Sequence, residues 1–466
     1  MRQHYRAIAL AVIPRIISSI DKNPLSATYG CLDKHYWCYK QTDFPSARFQ
    51  EAMLSLAFCC TKDFPGNPYY QDTRFREWAL AALRFWAKSQ HADGSLDEWY
   101  PNEKSFCATA FSLYAATETY LLLGLHDAAL VKAFLKSARF LFSSEQVANQ
   151  EIGSITALYN TYLIAKDQRI LVAVQAKLAV LKQDAEGWFP EYGGADPGYQ
   201  TLSIEFLAKY YEKSKDRAVL PVIRRAIGFV SHFIHPDGSI GGIYGSRNTE
   251  LFFPYGFEIM DAPASRYIAE VCHQRILQNL NPARMDDRYA FPYHTSYLQS
   301  IPFSGRKAKQ PHFPSRIHFS HAGLVVARTK AYYAAISARK GVYALFSPGR
   351  HDDHGYFAKR RGRIITTQGN NQYILSGNTI TVSGTCHQVF PFQQLSPLKN
   401  IVLRILIHLP LSIKPLLRGK MILSLGKTDI PFTRTFVLGK NAIEIKDSAI
   451  GQRLPAKAIY VPTAYF

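Results

Sequence analysis

His91-Ala-Asp-Gly-Ser-Leu-Asp-Glu-Trp-Tyr100 is the stretch on which the reading of the fold turns, because the chain carries two further versions of it. The second is Asp184-Ala-Glu-Gly-Trp-Phe-Pro-Glu-Tyr192, and the third is His235-Pro-Asp-Gly-Ser-Ile-Gly-Gly-Ile-Tyr244. Each has an acidic residue, then a glycine, then an aromatic a few positions on. Such turns stop helices, because glycine takes a left-handed backbone conformation at little cost, and one alone is ordinary. Three with trailing aromatics predict a repeat. Their glycines, 94, 187 and 238, are 93 and 51 residues apart, near two units and one unit of about 47 residues, the size of a helical hairpin with its loop. Stacked hairpins make either an open solenoid or a closed α/α toroid, and a ring gathers the loops around one cleft.

Residues 47–60 (ARFQEAMLSLAFCC), 74–90, 105–124 and 200–214 repeat apolar residues at i, i+3 and i+4, so helices are expected up to about residue 280. The opening MRQHYRAIALAVIPRIISSIDKN is read as an amphipathic first helix rather than a signal peptide, since Pro14 and Arg15 interrupt its short apolar run. From about residue 281 the texture changes. Residues 318–347, 361–385 and 434–450 are rich in β-branched and aromatic residues between Gly/Asn turns, and the turns at Gly369-Asn-Asn-Gln and Ser376-Gly-Asn are hairpin signals. The fold class expected is α+β and multidomain: an α/α toroid of helical hairpins over 1–280, a Pro-, Tyr- and base-rich linker over 281–310, and an antiparallel β-sandwich over 311–466.

Charge divides at the same place. Residues 281–466 hold 26 Lys and Arg against 7 Asp and Glu, a net of +19, whereas residues 1–280 hold 29 against 28. The basic half predicts a polyanionic partner: an acidic glycan, a phosphate backbone or an anionic membrane. No RRM, KH, helix-turn-helix or zinc spacing accompanies the charge, so nucleic acid is not expected. The segment 396–420 alternates apolar and basic residues at helical spacing, which suits either a helix in an anionic membrane interface or an insertion packed on the sandwich. The seven cysteines (31, 38, 59, 60, 107, 272 and 386) have no metal-site spacing, and their odd, scattered pattern suggests reduced thiols and a cytoplasmic setting, peripheral to the inner membrane if 396–420 docks there.

The order of a helical toroid and a β-sandwich, with Asn- and Tyr-bearing loops, resembles the heparinase II/III-like polysaccharide lyases over nearly the whole chain. The residues that carry the resemblance are Thr28-Tyr-Gly-Cys-Leu-Asp-Lys-His-Tyr-Trp, Asp97-Glu-Trp-Tyr-Pro-Asn-Glu-Lys-Ser-Phe, Ala148-Asn-Gln-Glu, Asp196-Pro-Gly-Tyr-Gln, Gly245-Ser-Arg-Asn-Thr and His321-Ala-Gly-Leu. They look most like the members found with bacterial surface-polysaccharide assembly. The resemblance implies action on a uronate-containing polysaccharide by removal of the C5 proton and β-elimination of the O4 group, the alternatives being C5 epimerisation or a glycan-binding protein that has lost its base. It also implies a sandwich that continues beyond Phe466.

The chemistry asks for donors that neutralise the uronate carboxylate, a base for C5 and an acid for O4. The resemblance places Tyr199 as the acid, or as acid and base both, and Asn149 as a carboxylate-gripping amide. Gln150 stands where such lyases carry histidine, and its amide can donate but cannot accept a proton. Asn149 as a simple helix cap, and Tyr199 as half-buried packing, are the structural alternatives. Arg247, with Asn248 in the Tyr244-Gly-Ser-Arg-Asn-Thr loop, is a carboxylate or sulfate clamp or else an unpartnered surface arginine. Glu98, Trp99, Tyr100, Glu103, Trp188, Tyr192 and Tyr244 in the repeated loops are candidates for sugar hydroxyls and faces, and Glu103 reads equally as a helix-start carboxylate. In Arg350-His-Asp-Asp-His-Gly-Tyr, His351 or His354 is the candidate base from the sandwich. Consecutive ligands in a strand or turn point apart, so no metal or other cofactor is expected, a divalent ion at His351/His354 being the one alternative.

Overall fold

A computed structural model describes residues 3–145, 147–275, 282–303, 308–389, 396–407, 425–448 and 451–453. The chain divides into two compact units: Met1–Gln183, Thr201–Ile227 and Phe252–Gln310 form the first, and Asp184–Gln200, Gly228–Leu251 and Pro311–Phe466 form the second. Two segments from the helical part of the sequence, 184–200 and 228–251, therefore group with the C-terminal part.

The first unit is built of helices that alternate in character along the chain. Met53–Thr61 buries every residue from Met53 to Cys60, and Phe106–Leu122 and Ala148–Ala165 are buried almost all round. Between them lie Thr73–Lys88, Ala128–Phe140 and Gln168–Ala179, each burying only a stripe, such as Leu130, Phe134 and Ala138. A helix apolar on all sides needs neighbours on all sides, whereas a one-striped helix has solvent behind it. The chain thus alternates inner and outer helices, and the inner ones start at Met53, Phe106, Ala148 and Pro197.

The ring closes between its ends. The first helix, Gln3–Ser19, lies along Asp287–Ser300, with Tyr5 edge-on to Tyr297 at 5.9 Å, His294 Nε2 2.7 Å from the Ala9 carbonyl, and Arg15 donating to Asp287 at 2.8 Å. The arrangement is a toroid of helical hairpins and not an open solenoid. Residues 287–300, in the stretch expected to link two domains, are helical despite Pro292. Asp286 caps this helix by accepting from Arg288 N and Tyr289 N, and nine of its side chains are buried. That burial outweighs the ~3 kcal/mol that an interior proline costs.

Charged pairs line the interior of this unit. Lys209 meets Glu205 at 2.6 Å with side chains 4% and 3% exposed, and its ammonium lies over the Tyr114 ring at 4.7 Å. Glu205 also accepts from Ser296. Removing one member of such a pair strands a buried charge. Lys209→Met should therefore lower unfolding stability by about 3–5 kcal/mol in urea titration. A change below ~1 kcal/mol would mean that Glu205 is solvated rather than paired.

The second unit contains two antiparallel sheets. The strands β1 (Arg316–Phe319), β2 (Leu324–Arg328), β3 (Tyr333–Ser337), β4 (Val342–Ser347) and β5 (Arg350–His354) form a meander in chain order. The other sheet takes β6 (Phe357–Arg360), β7 (Arg363–Thr366), β8 (Gln372–Ser376), β9 (Thr379–Val389), β10 (Leu425–Leu438), β11 (Ile443–Asp447) and β12 (Gln452–Arg453) in the order β11-β10-β9-β7-β6-β12, with β8 also on β9. Val325, Ile336 and Tyr343 of the first sheet and Ile365, Val382 and Phe436 of the second share one core, which makes the pair a sandwich. Ser376-Gly-Asn joins β8 to β9 as a hairpin, but β7 and β8 do not pair across Gly369. Asn371 ties that turn instead to Arg339 O at 2.8 Å and, through its side chain, to Thr367 O. Residues 408–424 and 454–466, which include most of the expected 396–420 segment and the chain end, lie outside the described residues. Among the described residues no helix is long and apolar enough to cross a membrane.

Candidate functional site

The three repeated loops share one hydrogen-bond scheme. The first residue of each donates its N–H to the carbonyl four positions on (His91 to Ser95, Asp184 to Trp188, His235 to Ser239, each 2.9 Å) and accepts from the glycine three positions on. Those glycines, 94, 187 and 238, have φ of 89°, 96° and 78°, where a side chain is strained. The repeat is thus a physical one, and the loops diverge only in what they carry.

The third loop carries a chain of proton-bearing groups. Asp237 accepts from Ser239 N at 3.0 Å and from the Ser239 hydroxyl at 2.6 Å. With its proton so placed, the Ser239 oxygen accepts from His235 Nδ1 at 2.8 Å. That tautomer leaves His235 Nε2 bare, 2.7 Å from Tyr244 Oη, so the phenol donates to it. Burial pushes the His235 imidazole down to about 3 and raises the Tyr244 phenol, so both groups rest uncharged.

Beside it lies Arg247, 4% exposed, with its guanidinium 4.2 Å from the centre of the Tyr192 ring and Nε without a hydrogen-bond partner. Asp196 holds it in place: Oδ2 accepts from Arg247 N at 2.8 Å, and Oδ1 accepts from Tyr199 N at 3.0 Å. One carboxylate therefore brings the Tyr199 helix start and the Arg247 loop together. Lys340, in the β3–β4 turn, donates to Ile243 O at 2.8 Å, Gly245 O at 2.7 Å and Asn248 Oδ1 at 2.6 Å, and burial pushes its ammonium down to about 8. Asp353 on β5 has Oδ1 buried without a partner, and burial pushes its carboxyl up to about 7.

Tyr199, Arg247, Asn248, Tyr192, Tyr244 and Trp188 all belong to the second unit, with Trp188 bonded to Glu186 at 3.2 Å. His351 stacks on Phe346 at 4.0 Å, and His235 stacks on the same ring at 4.4 Å. His351 and His354, three apart on β5, occupy positions of opposite parity in the strand, and among the described residues no cluster of three or more His, Cys, Asp or Glu could hold a metal. Asn149 and Gln150 lie in the first unit, in the first turn of Ala148–Ala165; the cap position is Val147, so Asn149 is not the cap.

The first unit holds Glu98, Trp99, Tyr100 and Glu103. Trp99 and Glu98 line a cleft of about 640 Å³ together with Arg15, Asp33, His35 and Arg288. Arg288 lies 3.3 Å from the centre of the Trp99 ring. Glu103 accepts from Glu98 N at 2.9 Å and Trp99 N at 2.7 Å, so it shapes the loop, and the following helix is capped by Ser105 instead. A second cavity, among Arg48, Glu51, Tyr114, Glu205 and Lys209, measures about 20 Å³, room for roughly one water and none for a sugar.

No protein-family model and no curated protein matches the sequence. Among solved structures, the chain is similar to a Paenibacillus xanthan lyase at 9% identity and a TM-score of 0.48, covering 94% of this chain and 46% of that one. It is similar at the same identity and TM-score to the Streptomyces coelicolor A3 chondroitin AC lyase in complex with chondroitin sulphate, over 83% of this chain and 64% of that one. A sugar epimerase from a ruminal bacterium is similar at 12% identity and a TM-score of 0.46, over 64% of this chain and 98% of that one. The chain thus spans between about half and two thirds of the length of the two lyases. At these identities the likeness is one of fold.

The site has a pH signature. Between the ordinary carboxylate value of 3.8 and about 7, Asp353 stays protonated when folded and is ionised when unfolded. The folded state then binds the extra proton, so stability falls as pH rises through that window. Asp353→Asn should remove this slope, which a series of thermal unfolding curves from pH 4 to pH 7 would reveal as a flatter dependence than in the wild type.

Proposed function

We propose that the protein is a heparinase II/III-like enzyme that acts on a uronate-containing acidic polysaccharide, by removing the C5 proton and eliminating the O4 group. The observation that carries this reading is the buried Arg247 guanidinium with an unused Nε donor, three residues from the Tyr244–His235 pair. A buried guanidinium N–H left unpaired, as Arg247 Nε is, is costly, and a sugar carboxylate is a ligand that suits the arginine fork. Pairing with Arg247 withdraws charge from that carboxylate and makes the adjacent C5–H acidic. Tyr244 oxygen then takes the C5 proton as its own proton passes to His235 Nε2. The C5–H electrons form the C4=C5 bond while the C4–O4 bond breaks, and Tyr199 protonates the departing O4. Charge then sits as imidazolium on His235 and phenolate on Tyr199, and proton exchange with solvent restores both. Asp237 and Ser239 hold His235 in the tautomer that this requires. A cytoplasmic, bacterial surface- or exopolysaccharide role accompanies the proposal.

Gln150 supports a second reading, a glycan-binding protein without turnover, because an amide stands where the resemblance expects a base. C5 epimerisation shares the same carbanion and differs only in keeping O4. A panel of uronate polymers separates the three. Growth of the absorbance of a 4,5-unsaturated uronate, lowered ~10²-fold or more by Tyr244→Phe and by Tyr199→Phe, is the expected result. Deuterium uptake at C5 without that absorbance would make the enzyme an epimerase, and binding with neither would make it a binder. Arg247→Lys keeps the charge but loses the fork, and should weaken the substrate interaction at least tenfold, about 1.4 kcal/mol.

A further inference from the structure

We propose that the helix Pro397–Leu406 docks on an anionic lipid surface, lying along the bilayer in its headgroup region. Ser396 caps it by accepting from Lys399 N, and Pro397 occupies its first turn, so its start is well defined. None of its residues is buried. Leu398, Ile401, Val402 and Ile405 are 71%, 58%, 46% and 59% exposed. Their spacing of i, i+3, i+4 and i+7 forms one stripe on an α-helix. Large apolar side chains are seldom this exposed in sequence-local groups, and a contiguous patch marks an interaction surface.

Charge identifies the occupant. At about 100° per residue, Lys399 and Arg404 fall on opposite sides of the stripe, the arrangement in which bases flank the apolar face of an interfacial helix. From Asp353 to Asp429 the sequence has no acidic residue and ten Lys and Arg: residues 359, 360, 361, 363, 399, 404, 414, 418, 420 and 427. An acidic glycan or nucleic acid would answer the charge and leave the stripe in water. A protein groove would answer the stripe without needing the charge. An anionic bilayer answers both. At ~1.5 Å per residue, ten residues reach about half the hydrocarbon thickness, so the helix lies on the membrane and does not cross it. The inference stands apart from the sugar chemistry and uses none of its residues.

Sedimentation of the full chain with phosphatidylcholine vesicles, with and without phosphatidylglycerol, tests it. Binding is expected with phosphatidylglycerol, weakening as salt rises, and lost in Ile401→Glu/Ile405→Glu. Lys399→Gln and Arg404→Gln should each weaken binding about fivefold. The stripe is exposed, so circular dichroism and thermal unfolding of these variants should match the wild type. No wild-type binding to the anionic vesicles, equal binding to both vesicle types, or undiminished binding by the double variant would each overturn the proposal. Retention on immobilised heparin that the Ile401/Ile405 variant keeps, without vesicle binding, would assign the face to a polyanion instead.

Discussion

The Asp196 carboxylate is the constraint on which the second unit's site rests. It is fully buried, and burial raises its pKa, so its backbone donors Tyr199 N and Arg247 N are what make that position tolerable. It works as the N-cap of Pro197–Ser214 and, at the same time, as an anchor for a loop 51 residues further on. The close approach dictates glycine at 245, where a Cβ would stand 2.7 Å from Asp196 Oδ2. Gly198 meets the same demand, since a Cβ there would come within 2.9 Å of the Thr249 carbonyl carbon. A helix start and a loop that share one acceptor cannot drift apart, and this rigidity is what a positioned guanidinium and phenol require.

Burial also sets the charge state of the groups around it. The Tyr244–His235 pair rests neutral because separating a proton inside a low-dielectric site is costly. Neutral at rest, the pair can move a proton from the Tyr244 oxygen to His235 Nε2 across 2.7 Å without first breaking an ion pair. Lys340 and Asp353, pushed by burial to about 8 and about 7, lie on the same loop's other side and titrate near neutrality. The ammonium has three oxygen acceptors, so its work is to hold the Ile243–Asn248 backbone in shape.

Much of this was legible in the sequence, and the gaps have physical causes. The helical hairpins were visible because inner helices are apolar all round and outer ones striped, and the loops because glycine is demanded at a left-handed turn. Tyr199, Arg247 and Tyr244 were visible as motif residues, but what joins them was not. In the sequence Asp196 is only the first residue of the Asp196-Pro-Gly-Tyr-Gln motif, and nothing local reveals a donor 51 residues away. His235 reads as loop punctuation until the Ser239 and Asp237 bonds give its tautomer. Lys340 and Asp353 reach the loop only through the register of β3, β4 and β5, which a period-two pattern cannot supply. The helix at 287–300 was hidden by proline and tyrosine composition, because the Asp286 cap and tertiary burial outvote propensity there.

The charge asymmetry separates two physical tasks. Arg247 is 4% exposed and fixed at its backbone, so its charge acts at one point and is little screened by salt. Lys359, Arg360, Arg361, Arg363, Lys399, Arg404 and Lys427 are exposed instead. Their field extends only about a Debye length, ~8 Å at physiological ionic strength, and does not distinguish one polyanion from another. Exposed bases therefore act diffusely on any anionic surface, whereas a buried guanidinium acts at one point and through its geometry. Salt screens these exposed charges, whereas it reaches the buried guanidiniums far less: Arg247 keeps an unpaired Nε, and Arg434, 0% exposed, lies 3.1 Å from Asp447.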